Sequence, residues 1–430
     1  MPDNVLEKCK ISNLWHQKNV EIEFNDNVNF LIGPNGSGKT TLINLIVAAL
    51  SADLKALLLV PFNKIELTLK AISKRIKPII EVEKKVDKKG GSIQIMFKLR
   101  ETTTGPVDLY VLEDVDDMLR YYSVRRRRRL PPDQIPGTQS LKEKFDSIFN
   151  LSWLSIHRAR SFRRLEDEDS YDSTVDSKLA DLSNEFVRFF SSLSQQSSNE
   201  LTKFQESVFV SMFMTKEKSW FAASYQKMNL ESEKNALIEI FKELNVGPDK
   251  YLKKVESHFS SLKKAIRNIE SKDKITVTPD EFATFVTNVR VDYVVREWNK
   301  LRKKQEEIFE PKETFLMVLN SLVRDKKFYI NAKNELTVEL DDSVPLALHR
   351  LSSGEKQMII ILGEALLQYQ SPSIYIADEP ELSLHIEWQQ SLIDNIRSIN
   401  PSSQIIFATH SPDIVGKYSS NVIDVEEIIK

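Results

Sequence analysis

The chain is short of several things, and each shortage closes off a class of function. Among 430 residues there is one cysteine, Cys9, so neither an internal disulfide nor a cysteine-based zinc site can be built. That usage fits a reducing compartment. The six histidines, at positions 16, 157, 258, 349, 385 and 410, are scattered, which leaves no HNH-like nuclease cluster. No apolar run approaches the length of a membrane span. The start, Met1-Pro2-Asp3-Asn4, lacks the basic-then-apolar order of a secretory signal, so a cytoplasmic protein without membrane contact is expected. Net charge is also nearly absent: 60 basic residues face 62 acidic ones, so any grip on nucleic acid has to come from a local patch. What remains, 41% hydrophobic and 28% charged, is an ordinary globular composition, long enough for two cores.

Against this plain background one stretch stands out. Gly33-Pro34-Asn35-Gly36-Ser37-Gly38-Lys39-Thr40 carries the full P-loop spacing, between an apolar strand (Val28 to Ile32) and an apolar helix (Thr41 to Leu50). Glycines at these positions let the backbone N–H groups of Asn35 to Thr41 turn inward on a phosphate chain, and the helix that follows aims its positive end at the same place. Lys39 would reach the β- and γ-phosphates of ATP, and the Thr40 hydroxyl would take one position on Mg²⁺. The plain alternative, a glycine-rich turn before a helix, lacks a reason for the strand that precedes it.

Leu6 to Ile11 and Val20 to Phe24 read as strands around the turn Trp15 to Lys18, and Val28 to Ile32 as a third. Three strands leading into Val28-Asn29-Phe30-Leu31-Ile32-Gly33-Pro34-Asn35-Gly36 resemble the start of an ABC-type ATPase head of the SMC, RecF and Rad50 kind. That resemblance implies that Trp15, His16 and Gln17 lie near the nucleotide base; surface turn residues are the alternative. Ser92 to Leu99 and Val107 to Leu112 alternate like an antiparallel pair across Thr104-Gly105-Pro106, the accessory β-layer of such a head. Five consecutive arginines, Arg125 to Arg129, follow. Like charges at this density repel, so the run is either solvated and intramolecularly paired or a site for nucleic-acid phosphate or an acidic protein. The strand Leu151 to Ile156 ends in His157 and Arg158, where the resemblance implies a glutamine that senses Mg²⁺ and water; this chain has none there, and His157 or Arg158 stands in its place.

Between about Asp176 and Arg324 apolar residues recur at helical spacing, as in Leu179, Leu182, Phe186, Phe189 and Leu193, and Gly247 is the only glycine. Breaks are expected at Ser194 to Asn199, Asn245 to Pro248, Thr276 to Pro279 and Pro311, giving four to six helices. Their stripes read as a bundle core and an oligomer surface. No heptad array is sustained, which excludes a long coiled-coil arm. His258 lies here without a second ligand. The expected organisation is therefore residues 1–174 as the first part of the head, 175–326 as a helical insertion or oligomerisation lobe, and 327–430 as the second part of the head. The fold class is α/β: an ABC-type ATPase head, a mixed sheet flanked by helices plus an antiparallel β-layer, with a large α-helical insertion.

The head returns with two short strands in Phe328 to Leu340. Leu351-Ser352-Ser353-Gly354-Glu355 then resembles the ABC signature, with Ser353 in place of one glycine and Glu355 in place of the usual glutamine. Its physical logic is a helix N-terminus whose free N–H groups and Ser352 hydroxyl face a γ-phosphate; alone, it could be a helix cap with a capping-box glutamate. In the family that phosphate belongs to another subunit. Ser373-Ile374-Tyr375-Ile376-Ala377-Asp378-Glu379 is an apolar strand delivering two carboxylates, Asp378 for Mg²⁺ and Glu379 as the base for the attacking water. Glu381-Leu382-Ser383-Leu384-His385 sits where ABC proteins place the loop that crosses between subunits, in a form typical of OLD-like and related AAA-type defence ATPases. Gln404 to Ala408 is a buried-type strand, and His410 beyond it matches the switch histidine that contacts the γ-phosphate in this class.

Taken together these motifs are similar to those of the stand-alone ABC-type ATPases of bacterial anti-phage defence, of the PARIS kind first and the Septu kind second. The resemblance implies an ATPase that uses ATP and Mg²⁺, forms a homo-oligomer through composite sites, and acts as a sensor that holds and releases a separate nuclease-type effector, with a phage-encoded trigger protein. A nuclease is expected in trans, because the C-terminal Toprim domain of OLD-family nucleases is not found after His410. The other reading is a DNA-binding ATPase clamp of the RecF or Rad50 kind; a transporter's ATPase subunit fits worst, given the helical insertion.

Overall fold

The computed structural model describes residues 3–86, 93–112, 138–154, 174–213, 229–270, 278–340, 344–368 and 371–429. Arg125 to Arg129, His157 and Arg158 lie outside them. The chain divides into two compact units, Met1–Phe189 with Pro311–Lys430, and Phe190–Glu310.

In the first unit, β1 (Asn4–Leu14), β2 (Lys18–Glu23), β3 (Val28–Ile32), α1 (Lys39–Ser51), α2 (Leu54–Leu59), β4 (Lys64–Ala71), β5 (Ile79–Val86), β6 (Ile93–Arg100), β7 (Asp108–Leu112), α3 (Thr138–Ile148) and β8 (Leu151–Leu154) come in that order. Strand pairing is segregated by type. An antiparallel sheet runs β2-β1-β4-β5-β6-β7. Alternation explains its two faces. Residues such as Ile65, Leu67 and Leu69 are fully buried, while the intervening residues form cross-strand ion pairs, Lys8 with Glu21 (2.5 Å) and Lys64 with Glu81 (3.1 Å).

The helices α4 (Thr174–Ser211), α5 (Leu230–Glu243), α6 (Pro248–Glu270) and α7 (Pro279–Leu322) follow. Next come β9 (Lys326–Ile330), β10 (Leu336–Leu340), β11 (Pro345–Leu346), α8 (Ser353–Leu367), β12 (Ser373–Asp378), α9 (Ile386–Ile399), β13 (Ser403–Ala408) and β14 (Val422–Asp424). The second sheet of the first unit is parallel throughout, in the order β14-β3-β13-β12-β8. Its strands β3, β12 and β13 are buried almost throughout because both faces are covered. On one face Ile374, Ile376 and Ile406 join a core with α1 and the antiparallel sheet. On the other, Tyr375 donates to the Ile361 carbonyl of α8 at 2.9 Å. Both α1 and α8 are apolar around most of their circumference, which is the pattern of a helix buried on all sides. α8 is closed over by the first turns of α4: a Cβ on Gly363 would stand 2.5 Å from the Phe186 ring, and Lys178 pairs with Glu364 at 2.5 Å.

The second unit is helical. Tyr251, Val255, Phe259 and Leu262 of α6 bury against Phe285 of α7, and Phe204 of α4 meets Trp298 of α7 edge to face, with ring centroids 5.3 Å apart. His258 lies 3.3 Å from Asn288 Oδ1, a polar bond between two helices. Two of the expected breaks do not occur. Helix α4 runs through Ser194 to Asn199, where Ser194 Oγ donates back to the Phe190 carbonyl (3.0 Å) and Gln195 donates to Asn199 one turn on (3.0 Å). Polar side chains satisfied within the helix do not end it. Helix α7 likewise carries Pro311 inside it. The proline removes one backbone bond, yet Trp298 and Leu301 before it and Phe315 and Leu319 after it are buried and hold both sides. The boundary between the units falls at this same residue.

Candidate nucleotide site

A parallel sheet brings the carboxyl ends of its strands to one edge, and the loops leaving β3, β12 and β13 meet there. The loop after β3 turns at Gly36 and Gly38, both left-handed, and feeds α1. Only glycine serves at 38: its φ is +100°, and a Cβ would stand 2.6 Å from Cη2 of Trp15, whose half-exposed indole lies over the loop. Helix α1 starts without a side-chain cap and without an acidic residue in its first turn. Its leading N–H groups are therefore left to another acceptor. Asn35 and Gly36 are exposed at the loop's tip, Ser37 and Thr41 are half-buried, and Ser37 Oγ is a buried oxygen with no hydrogen-bond partner among the described residues. An orphan hydroxyl, an uncapped helix end and a lysine in one loop are what an anion such as a triphosphate would satisfy.

The Lys39 ammonium folds back across the loop, donating to the carbonyls of Gly33 (2.7 Å) and Pro34 (3.0 Å). Burial holds it below its usual value, against the pull of Glu379, Asp378 and Glu381. Thr40 Oγ1 donates to Asp378 Oδ1 at 3.2 Å, which sets two hard oxygens side by side at the end of β12, a donor pair that fits Mg²⁺. Glu379 is left-handed at φ +50°, an uncommon backbone for a residue with a side chain, and its N–H still donates to the Ala408 carbonyl at 2.8 Å. The turn brings its carboxylate to 3.9 Å from His410 Nε2, beyond hydrogen-bond reach but close. Both side chains are about one-third exposed, so water reaches them.

The signature residues lie elsewhere. Ser352 caps α8 in a complete capping box: its Oγ accepts from the Glu355 N–H (3.3 Å), and Glu355 Oε2 accepts from the Ser352 N–H (2.9 Å) and hydroxyl (2.8 Å). Burial pushes the Glu355 carboxyl up, but Lys326, 2.5 Å from Oε1, and the Ser352 donors outweigh it and leave it below the usual carboxylate value. Ser352 and Ser353 are exposed. Gly354 is demanded by a close approach, since a Cβ there would stand 2.5 Å from the Ser383 carbonyl oxygen. Gln357, buried next to it, donates to the Pro380 carbonyl at 2.7 Å. Among the described residues no hydrogen bond joins Ser352, Ser353 or Glu355 to the P-loop.

The family described as AAA ATPase domain matches residues 5–415. The chain belongs to this family. Among similar proteins are the DNA double-strand break repair Rad50 ATPase of Methanopyrus kandleri, 48% identical over 46 residues, which are 11% of this chain and 5% of that protein. The Retron Vc95 probable ATPase of Vibrio cholerae is 26% identical over 136 residues, 29% of this chain and 26% of that one. The chain thus spans well under two thirds of the length of both curated relatives. Similar solved structures include the Smc head domain with an extended coiled coil bound to the C-terminal domain of ScpA from Pyrococcus furiosus, at TM-score 0.43 and 13% identity over 99% of this chain and 95% of that one. The SMC head domain from Thermotoga maritima stands at TM-score 0.36 and 10% identity over 96% and 91%. The fold class is the α/β expected from the sequence, with its helical insertion, but in place of the expected mixed sheet the parallel and antiparallel strands of the described residues fall in separate sheets, because the core sheet pairs only strands that run the same way. No helix among the described residues is long and apolar enough to cross a membrane.

Lys39, Thr40, Asp378, Glu379 and His410, to which the motifs point, come together at one edge. No motif points to Gln357, or to Glu381 as a ligand of the histidine loop. Glu381 reaches the histidine loop because β12 and β13 are parallel neighbours whose register pairs Asp378 with Ala408.

Proposed function

We propose that this AAA ATPase is a nucleotide-driven switch that binds ATP with Mg²⁺, hydrolyses it, and assembles with further copies of itself while ATP is held. The observation that carries the reading is the convergence of Lys39, the Thr40–Asp378 pair, Glu379 and His410 at one sheet edge. Asn35 to Thr41 would cradle the phosphates, and Thr40 and Asp378 would hold Mg²⁺, which when bound neutralises charge on the transferred phosphoryl group. Glu379 takes the proton of the attacking water, and Lys39 and His410 balance the charge that develops on the γ-phosphate. The exposed Trp15 indole beside Gly38 is the surface for an adenine ring. Ser352 to Glu355, apart from the chain's own P-loop, are offered to the nucleotide of a second copy.

We assign the switch to defence: the bound state holds a separate nuclease-type effector and a phage-encoded trigger releases it, as the resemblance to PARIS-type ATPases implies. The similarity to the Retron Vc95 probable ATPase supports this branch. A DNA-binding clamp in repair is the second reading, favoured by the 48% identity over 46 residues to the Rad50 ATPase. Glu379→Gln, purified with ATP from its own locus, separates them. This variant should retain nucleotide and lose hydrolysis by about 10²-fold or more; wild-type turnover would remove Glu379 as the base. A second polypeptide in the particle supports the effector branch. A bare dimer that retains DNA, with turnover stimulated by duplex and steeply weakened by salt, supports the clamp.

A further inference from the structure

We propose that Glu381 is a positioning residue for hydrolysis, fixing the Thr409–His410 peptide so that the His410 ring stands beside the Glu379 carboxylate; this rests on the ATPase reading above. Glu381 Oε1 accepts from the Thr409 hydroxyl at 2.6 Å and from the His410 N–H at 2.9 Å. The first is at the short end for a charge-assisted bond, and together they fix the direction in which the chain leaves β13. Thr409 is fully buried, and its Oγ1 also accepts from the Ser411 N–H at 2.9 Å, so one hydroxyl passes the constraint to both sides of the histidine.

Glu381 is itself held. The Glu379 and Ser383 backbones flanking it are both left-handed, at φ +50° and +72°, and its own carbonyl accepts from the Leu384 N–H at 2.9 Å. Pro380, just before it, is fastened to α8 through Gln357. The carboxylate is thus supported from the loop that also carries Glu379, the candidate base, and it reaches across to the neighbouring strand end. Its second oxygen, Oε2, is buried and has no hydrogen-bond partner among the described residues. A half-buried carboxylate with one oxygen satisfied and the other buried without a partner is a poor device for stability. It is a good one for holding the histidine loop and the base in a fixed relation.

The test is steady-state hydrolysis and nucleotide titration on the full chain. Glu381→Ala should lower kcat about tenfold to hundredfold, the effect of a small misplacement at a reacting centre, with KM and nucleotide affinity within about twofold of wild type. Glu381→Gln keeps an acceptor at the Oε1 position and should restore kcat to within about threefold of wild type. The deciding readout is a double-mutant cycle with His410→Ala. If Glu381 acts through the histidine, adding Glu381→Ala to His410→Ala costs less than about threefold further. Full additivity of the two losses, or a normal kcat in a folded Glu381→Ala, overturns the proposal. Should Glu381→Ala fail to fold, Thr409→Val removes the hydroxyl that donates to Glu381 and accepts from the Ser411 N–H; it should lower kcat with KM unchanged, and a normal kcat there overturns the proposal equally. Absence of turnover in the wild-type chain would instead remove the ATPase reading, and this proposal with it.

Discussion

Helices α1 and α8 are built alike and begin in opposite ways. Each is apolar nearly all round, each is buried in the first unit, and each follows a loop with glycine or serine at its start. α1 begins at a left-handed glycine, with no side-chain cap and no acidic residue in its first turn. α8 begins at Ser352 inside a closed capping box with a buried glutamate neutralised by Lys326. The difference teaches what each end is for. Under the proposed reading the open end of α1 takes the anionic nucleotide, and the capped end of α8 is offered to the nucleotide of a second copy.

The largest expected effect comes from the open end. Lys39→Ala removes the ammonium that folds across the loop, and hydrolysis should fall by about 10²–10³-fold or be lost with nucleotide binding; titration with a fluorescent ATP analogue and a phosphate-release assay check it, and normal turnover would overturn the P-loop assignment. At the capped end the effect should split. Ser352→Ala should cost about 1 kcal/mol of stability in denaturant unfolding, through loss of the cap, and should slow hydrolysis while leaving ATP binding to the chain unchanged. A matching loss of ATP affinity would mean that α8 serves its own P-loop. The smallest effect is acid sensitivity. The Glu355 carboxyl is held below its usual value, so its contribution to stability is complete above about pH 4.3 and is lost as pH falls through the lower, folded value. Thermal melts below about pH 4 should therefore fall more steeply in the wild type than in Glu355→Gln. Equal slopes would show that the cap does not titrate with folding.

Much of this contrast could be read from the sequence because it is local. Gly-x4-Gly-Lys-Thr after an apolar strand, Ser352 three residues before Glu355, and the apolar run Ser373 to Ala377 ending in two carboxylates are short-range patterns with a physical cause. The misses share a different cause. Pro311 and the polar stretch Ser194 to Asn199 read as breaks because local propensity ignores the burial of Trp298, Leu301, Phe315 and Leu319 around one and the in-helix hydrogen bonds of the other. Trp15 over Gly38, Ser383 against Gly354, and Glu381 on Thr409 and His410 are contacts between residues 23 to 29 positions apart, set by strand order and register. No window of sequence contains them.

The central claim, that the open end of one copy is completed by the capped end of another, is tested most directly by mixing. Lys39→Ala keeps an intact α8 start, and Ser352→Arg keeps an intact P-loop; each alone should be inactive. Shared sites predict that the mixture regains single-turnover hydrolysis, to roughly a quarter of the wild-type amplitude for randomly paired dimers. A mixture as inactive as its components would contradict the account.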